Sequence, residues 1–208
     1  LRPSAHSTVL VDGPAGKIEV DISDPGTATD GRCRAIALIA HPHPLMGGTK
    51  DNKVVTTLAR TLSAAGFVTL RPNFRGVGGT EGSHDEGRGE ADDLVALARY
   101  ARERYPDLPL TCAGFSFGGF VQARVAQQIA PEQLILVAPA VNRFKTETVP
   151  AGTLVIHGEL DDVVPLAAVL EWARPQNLPV VVVPGGEHFF HGRLNVLRQI
   201  VARHCGVT

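Results

Sequence analysis

The chain has 208 residues, 44% hydrophobic and 20% charged, with a formal net charge of −1, which suits one sizeable domain with a real core. The near-neutral balance lacks the basic footprint of a nucleic-acid binder. Three widely spaced cysteines, Cys33, Cys112 and Cys205, form neither a disulfide framework nor a paired-cysteine zinc pattern, so a reducing compartment is expected.

In chain order, STVLVDG and GKIEVDIS flank Pro14-Ala15-Gly16 and predict an antiparallel hairpin at a sheet edge. Six short apolar runs follow: AIALIA (35–40), FVTL (67–70), LTCAGF (110–115), LILVAP (134–139), TLVIHG (153–158) and VVVVPG (180–185). Most are continuous rather than alternating, as expected of strands covered on both faces. Helical spacing lies between them, around Asn52–Ala65 with Asp51 or Asn52 as cap, around Glu90–Arg104, and from near Gly118, Pro165 and Leu194. Such alternation predicts an α/β fold: a mostly parallel sheet with helices on both faces, in one domain over residues 1–208. No run approaches the roughly 18 apolar residues of a membrane span. The opening LRPSAHSTVL has no signal-peptide core. A cytoplasmic protein without membrane insertion is therefore expected.

Ligands of an open parallel sheet bind beyond the carboxyl ends of its strands. Those positions carry His41–Gly48, Asn73–Gly78, Ser116, Gly158–Asp162 and Gly185–His188. The pentapeptide Gly114-Phe115-Ser116-Phe117-Gly118 sits between a strand and a helix, where glycines let the backbone fold tightly and expose the serine hydroxyl. A serine nucleophile needs a histidine base, and the histidine needs a carboxylate to hold its tautomer. On such a sheet the chain order is serine, acid, histidine. HGELDDVVP (157–165) supplies acids and GGEHFFHG (185–192) supplies histidines, both after strands. Glu159, Asp161 and Asp162 compete as the acid, and His188 and His191 as the base.

The oxyanion of an acyl-transfer intermediate needs backbone N–H donors. On this kind of sheet they come from the residue after the nucleophile and from the loop after the first parallel strand. Phe117 is the first. Pro42 and Pro44 have no N–H, so His43 and Leu45 are the nearest candidates for the second. A metal on His41 and His43 is disfavoured, because no third ligand accompanies them. Arg75-Gly76-Val77-Gly78-Gly79 lacks the phosphate-loop pattern and no G-x-G-x-x-G occurs, so no nucleotide or other cofactor is expected. Arg75 reads as a tie between loops, with an anion-gripping role as the alternative.

Over nearly its whole length the chain resembles the serine α/β-hydrolases, and most closely the small ones similar to dienelactone hydrolases and carboxylesterases that carry HPHP-x-x-GG after the first parallel strand. GFSFGG matches their nucleophile elbow, HGELDDVVP their acid turn, GEHFFHG their histidine loop, and NFRGVGGTEG their R-G-x-G-x-S turn with Thr80 in place of serine. The resemblance implies an α/β-hydrolase fold with Ser116, Asp161 and His188 as catalytic residues and the N–H groups of Phe117 and His43 as the oxyanion hole. It leaves Asp162 to cap a turn or helix, His191 to the surface, His157 to a buried structural place and Glu187 beside the base. Serine departs from the cysteine of dienelactone hydrolases themselves.

Between Pro139 and Gly152 only twelve residues replace the helical lid of many relatives, so no cap domain and an open site are expected. Met46, Phe115, Phe117, Phe189 and Phe190 are candidates to line an acyl pocket, with packing in the core as the alternative for some of them, Phe115 above all. The resulting expectation is hydrolysis of short-to-medium acyl carboxylic esters through an acyl-enzyme, with a small-molecule ester as the partner. A thioesterase, or an acyltransferase or perhydrolase using the same residues, is the alternative.

Overall fold

The structure, a computed structural model, describes residues 5–26 and 33–206; the first four residues of the stretch read for a leader lie outside them. The hairpin forms as expected, with β1 (Ala5–Gly13) and β2 (Gly16–Asp24) antiparallel and Gly13 opposite Gly16. The parallel strands are β3 (Ala35–Ala40), β4 (Phe67–Pro72), β5 (Leu110–Phe115), β6 (Gln133–Val137), β7 (Leu154–Gly158) and β8 (Val180–Val183). They form one sheet in the order β1-β2-β4-β3-β5-β6-β7-β8, and β2 joins β4 antiparallel.

Among the described residues five α-helices connect or follow the strands: α1 (Lys53–Ala64), α2 (Arg88–Arg104), α3 (Phe117–Ile129), α4 (Leu166–Ala173) and α5 (Leu194–His204). Asn52 is the cap of α1, its side chain accepting from the Val54 N–H at 2.9 Å. The continuous apolar runs are explained by where their side chains go. In β3, Ile36, Leu38 and Ala40 enter one core with Leu94 and Leu97 of α2, Val121 and Val125 of α3 and Val169 of α4. Ala35, Ala37 and Ile39 enter a second core with Val55 and Leu58 of α1 and Leu197 and Val201 of α5. Each strand position is thus buried whichever way it points. Among the described residues, no helix is long and apolar enough to cross a membrane.

From β3 the chain crosses through α1 to β4 on one side, and from β4 it returns through α2 to β5 on the other side of β3, so the carboxyl ends of β3 and β5 flank the point where the winding reverses. This is the crevice where open α/β sheets place their ligands. The loop at 41–48 and Ser116 meet there.

Candidate active site

Ser116 occupies the turn from β5 into α3 with φ 55° and ψ −115°, a backbone conformation an L-residue holds only when its surroundings force it. The flanking glycines supply that force by leaving no room. A Cβ on Gly118 would lie 2.6 Å from the His41 carbonyl oxygen, and one on Gly114 2.7 Å from the Gly119 nitrogen. The Ser116 N–H donates to Val137 O at 2.9 Å, and its carbonyl accepts from Gly119 at 3.0 Å and Ala140 at 3.2 Å. The elbow is therefore pinned between β3 and β6, and the hydroxyl faces the crevice.

His188, on the loop after β8, places Nε2 3.0 Å from Ser116 Oγ and Nδ1 2.7 Å from Asp161 Oδ2. A carboxylate can only accept, so Nδ1 carries the proton and Nε2 presents its lone pair to the serine. Asp161 follows β7 and divides its two oxygens. Oδ1 accepts from the Val163 N–H at 3.0 Å and the Val164 N–H at 2.8 Å, while Oδ2 faces the histidine. Asp161 thus caps its own turn, the task expected of Asp162; Asp162 is exposed and α4 begins without a side-chain cap. Glu159 points elsewhere and accepts from the Gly185 N–H at 2.8 Å. His191 is exposed and lies 3.3 Å from Glu187, so neither reaches Ser116.

Two further histidines are structural. His157 is fully buried, bonded through Nε2 to Val164 O at 2.8 Å, and burial lowers its pKa. His41 is fully buried between Pro42 O (2.7 Å) and the Phe74 N–H (2.9 Å), and burial brings its pKa down to about 4. His41 and His43 are spent on separate tasks. The Nδ1 of His43 accepts from the Leu45 N–H at 3.2 Å, in the short 3-10 turn Pro44–Met46. That bond engages Leu45 and leaves His43 as the free donor of the two candidates. Among the described residues, neither the His43 nor the Phe117 N–H has an acceptor. Burial, with the nearby charges of His84 and Arg143, lowers the His43 pKa against the opposing pull of Glu90 and keeps Nδ1 able to accept.

Ser116 and His188 open into a cavity of about 310 Å³, whose apolar walls include Met46, Phe117, Phe144, Val163, Val164 and Phe189. Phe190 is not among them. It takes φ 55°, turns inward and is fully buried in the core beside α5. Phe115 also packs in that core, 5.0 Å from the His188 ring. Phe144, Val163 and Val164 escaped the sequence reading because each lies on a connection whose path only the fold reveals. Arg75 is held by Asp93 of α2 through Nε at 2.6 Å and a second N–H at 3.0 Å, which makes it a tie between its loop and α2. Thr80 fills its loop's serine position, donating to Asn73 O at 2.9 Å and accepting from the Glu19 N–H at 3.0 Å. From Pro139 to Thr153 there is neither helix nor strand, so nothing covers the cavity as a lid.

Residues 34–146 match the family described as serine aminopeptidase, S33. The chain belongs to that family of serine hydrolases. Asp161 and His188 lie beyond the matched segment, but solved structures extend the likeness across them. XC6422 of Xanthomonas campestris, described as an α/β serine hydrolase without a lid, is 38% identical, with 98% of this chain and 95% of that one covered and a TM-score of 0.90. An α/β serine hydrolase homologue of Coxiella burnetii is 40% identical over 95% and 96% of the two chains, with a TM-score of 0.84. The uncharacterized protein RP471 of Rickettsia prowazekii is 35% identical over 147 residues, 70% of this chain and 56% of that one. The chain therefore spans little more than half the length of that relative.

Proposed function

We propose that this hydrolase cleaves carboxylic esters of short-to-medium acyl chains through an acyl-enzyme. The observation that carries the reading is the unbroken line from Ser116 Oγ through His188 to Asp161, at 3.0 Å and 2.7 Å. In it Ser116 Oγ attacks the ester carbonyl carbon as its proton passes to His188 Nε2, and Asp161 stabilises the imidazolium. The N–H groups of His43 and Phe117 receive the oxyanion. Collapse breaks the ester bond and returns the proton to the departing alkoxide. Water, deprotonated by the same nitrogen, then attacks the acyl-serine and releases the acid.

The cavity favours esters over the peptides of the family's name. An aminopeptidase must hold a free α-ammonium, and among the cavity-lining residues there is no carboxylate to do so. Its apolar walls suit an acyl chain, and about 310 Å³ is at the small end for a ligand site. The test is hydrolysis of 4-nitrophenyl esters from acetate to palmitate by wild type and Ser116→Ala. Turnover should decline toward the long chains and fall at least about 10³-fold in the variant. Palmitate cleaved faster than butyrate would defeat the chain-length claim. Undiminished activity in Ser116→Ala would defeat the mechanism.

A further inference from the structure

The cavity beside Ser116 carries one fixed charge. Among its lining residues Arg143 alone is charged at every pH of interest, and it stands among apolar walls. It belongs to the short connection after β6, in the place where a lid would begin. Its backbone is held: the Arg143 and Phe144 N–H groups both donate to Ala140 O at 3.3 Å, and Asn142 Nδ2 donates to Val163 O at 3.0 Å. The turn thus fixes the backbone from which the Arg143 side chain reaches the cavity. Arg143 is exposed at the open side of the cavity, whereas the more buried cations are matched, Lys50 with Asp21 at 2.9 Å and Arg75 with Asp93 at 2.6 Å. Among the described residues Arg143 forms no ion pair with any carboxylate. Glu90, the acid whose charge also reaches His43, is already occupied by the Asp85 and Gly87 N–H groups and by His84. The charge of Arg143 is nonetheless felt inside the site, where it helps lower the pKa of His43.

A planar cation at the open side of a largely apolar cavity, with no carboxylate among the described residues bound to it, suits a carboxylate that arrives on the ligand. Resting on the ester-hydrolase reading, we propose that Arg143 selects esters whose acyl chain ends in a carboxylate, the chain lying along Phe144 and Val163 and its anion on the guanidinium. The substrate class is then the monoester of a short dicarboxylic acid.

The test compares 4-nitrophenyl hexanoate with the 4-nitrophenyl monoester of adipic acid, equal in chain length and different in the terminal carboxylate. Wild type should prefer the adipate ester by kcat/KM. Arg143→Ala should lower the adipate-to-hexanoate ratio about fivefold, the upper worth of an exposed ion pair, Arg143→Lys should lower it less, and Arg143→Glu should lower it furthest. A ratio that moves less than threefold in Arg143→Ala overturns the proposal, even if both esters are cleaved well. Failure of the ester reading looks different: neither ester is turned over by wild type. In that event calorimetric titration with adipate decides the anion site. Weaker binding to Arg143→Ala supports it, and equal or absent binding to both proteins overturns it.

Discussion

The two oxygens of Asp161 do different work, and that division makes a sharp prediction. Asp161→Asn can keep Oδ1 on the Val163 and Val164 N–H groups, where only an acceptor fits. Its amide nitrogen then faces His188 Nδ1, which must become an acceptor, moving the ring proton to Nε2 and aiming a donor at Ser116. The hydroxyl loses its base while the turn stays intact. The expected outcome is a loss of about 10⁴ in kcat, with a thermal midpoint close to wild type. A variant that kept most of its kcat would show that the tautomer does not matter here. At this scale Ser116 and the turns carrying Asp161 and His188 were legible because each follows a strand and their order is constrained, while the choice of Asp161 and His188 within those turns rested on the family resemblance. Phe190 was not, since its inward turn depends on a positive φ that nothing in GGEHFFHG announces.

At the scale of elements, the strand-to-helix turn is built by exclusion. Ser116 holds its strained angles because β3 presses against Gly118 and the start of α3 against Gly114. Gly118→Ala puts a methyl group against backbone carbonyls of residues 40 and 41, which cannot swing aside as a side chain could. We expect it to lower stability by about 1–3 kcal/mol, the usual cost of overpacking, and to slow fluorophosphonate labelling of Ser116 at least tenfold. Labelling at the wild-type rate, with unfolding by denaturant unchanged, would mean the elbow has more room than its contacts show. The strands themselves were readable, because burial on both faces writes an apolar run into the sequence. Where LILVAP was read through residue 139, β6 stops at Val137. Ala138 takes φ 44°, which turns the chain out of the strand while its N–H still reaches Ile156 O in β7. The strand order was equally hidden, since it is a matter of pairing between distant segments.

For the whole molecule the decisive feature is what stands over the cavity. The twelve residues after Pro139 were legible as too few for a helical lid, and the structure has none there. The same stretch was read only for what it could not make, so Arg143 and Phe144 went unnoticed as walls. The cavity is assembled at the carboxyl end of the sheet from five separate connections, the ones carrying Met46, Ser116, Phe144, Val163 and Phe189, and no local pattern encodes that meeting. A site without a lid has no closed state for a lipid surface to open. Interfacial activation needs such a state, because a surface can shift only an equilibrium that exists. Hydrolysis of tributyrin, followed as its concentration crosses the solubility limit, should therefore follow one hyperbola without an upward break. Ser116→Ala run alongside removes any contribution from spontaneous hydrolysis. A rise of severalfold at the point where droplets form would mean that some part of this molecule closes over the cavity in water. The exposed Leu45, Met46 and Phe189 at its rim would then be the first place to look.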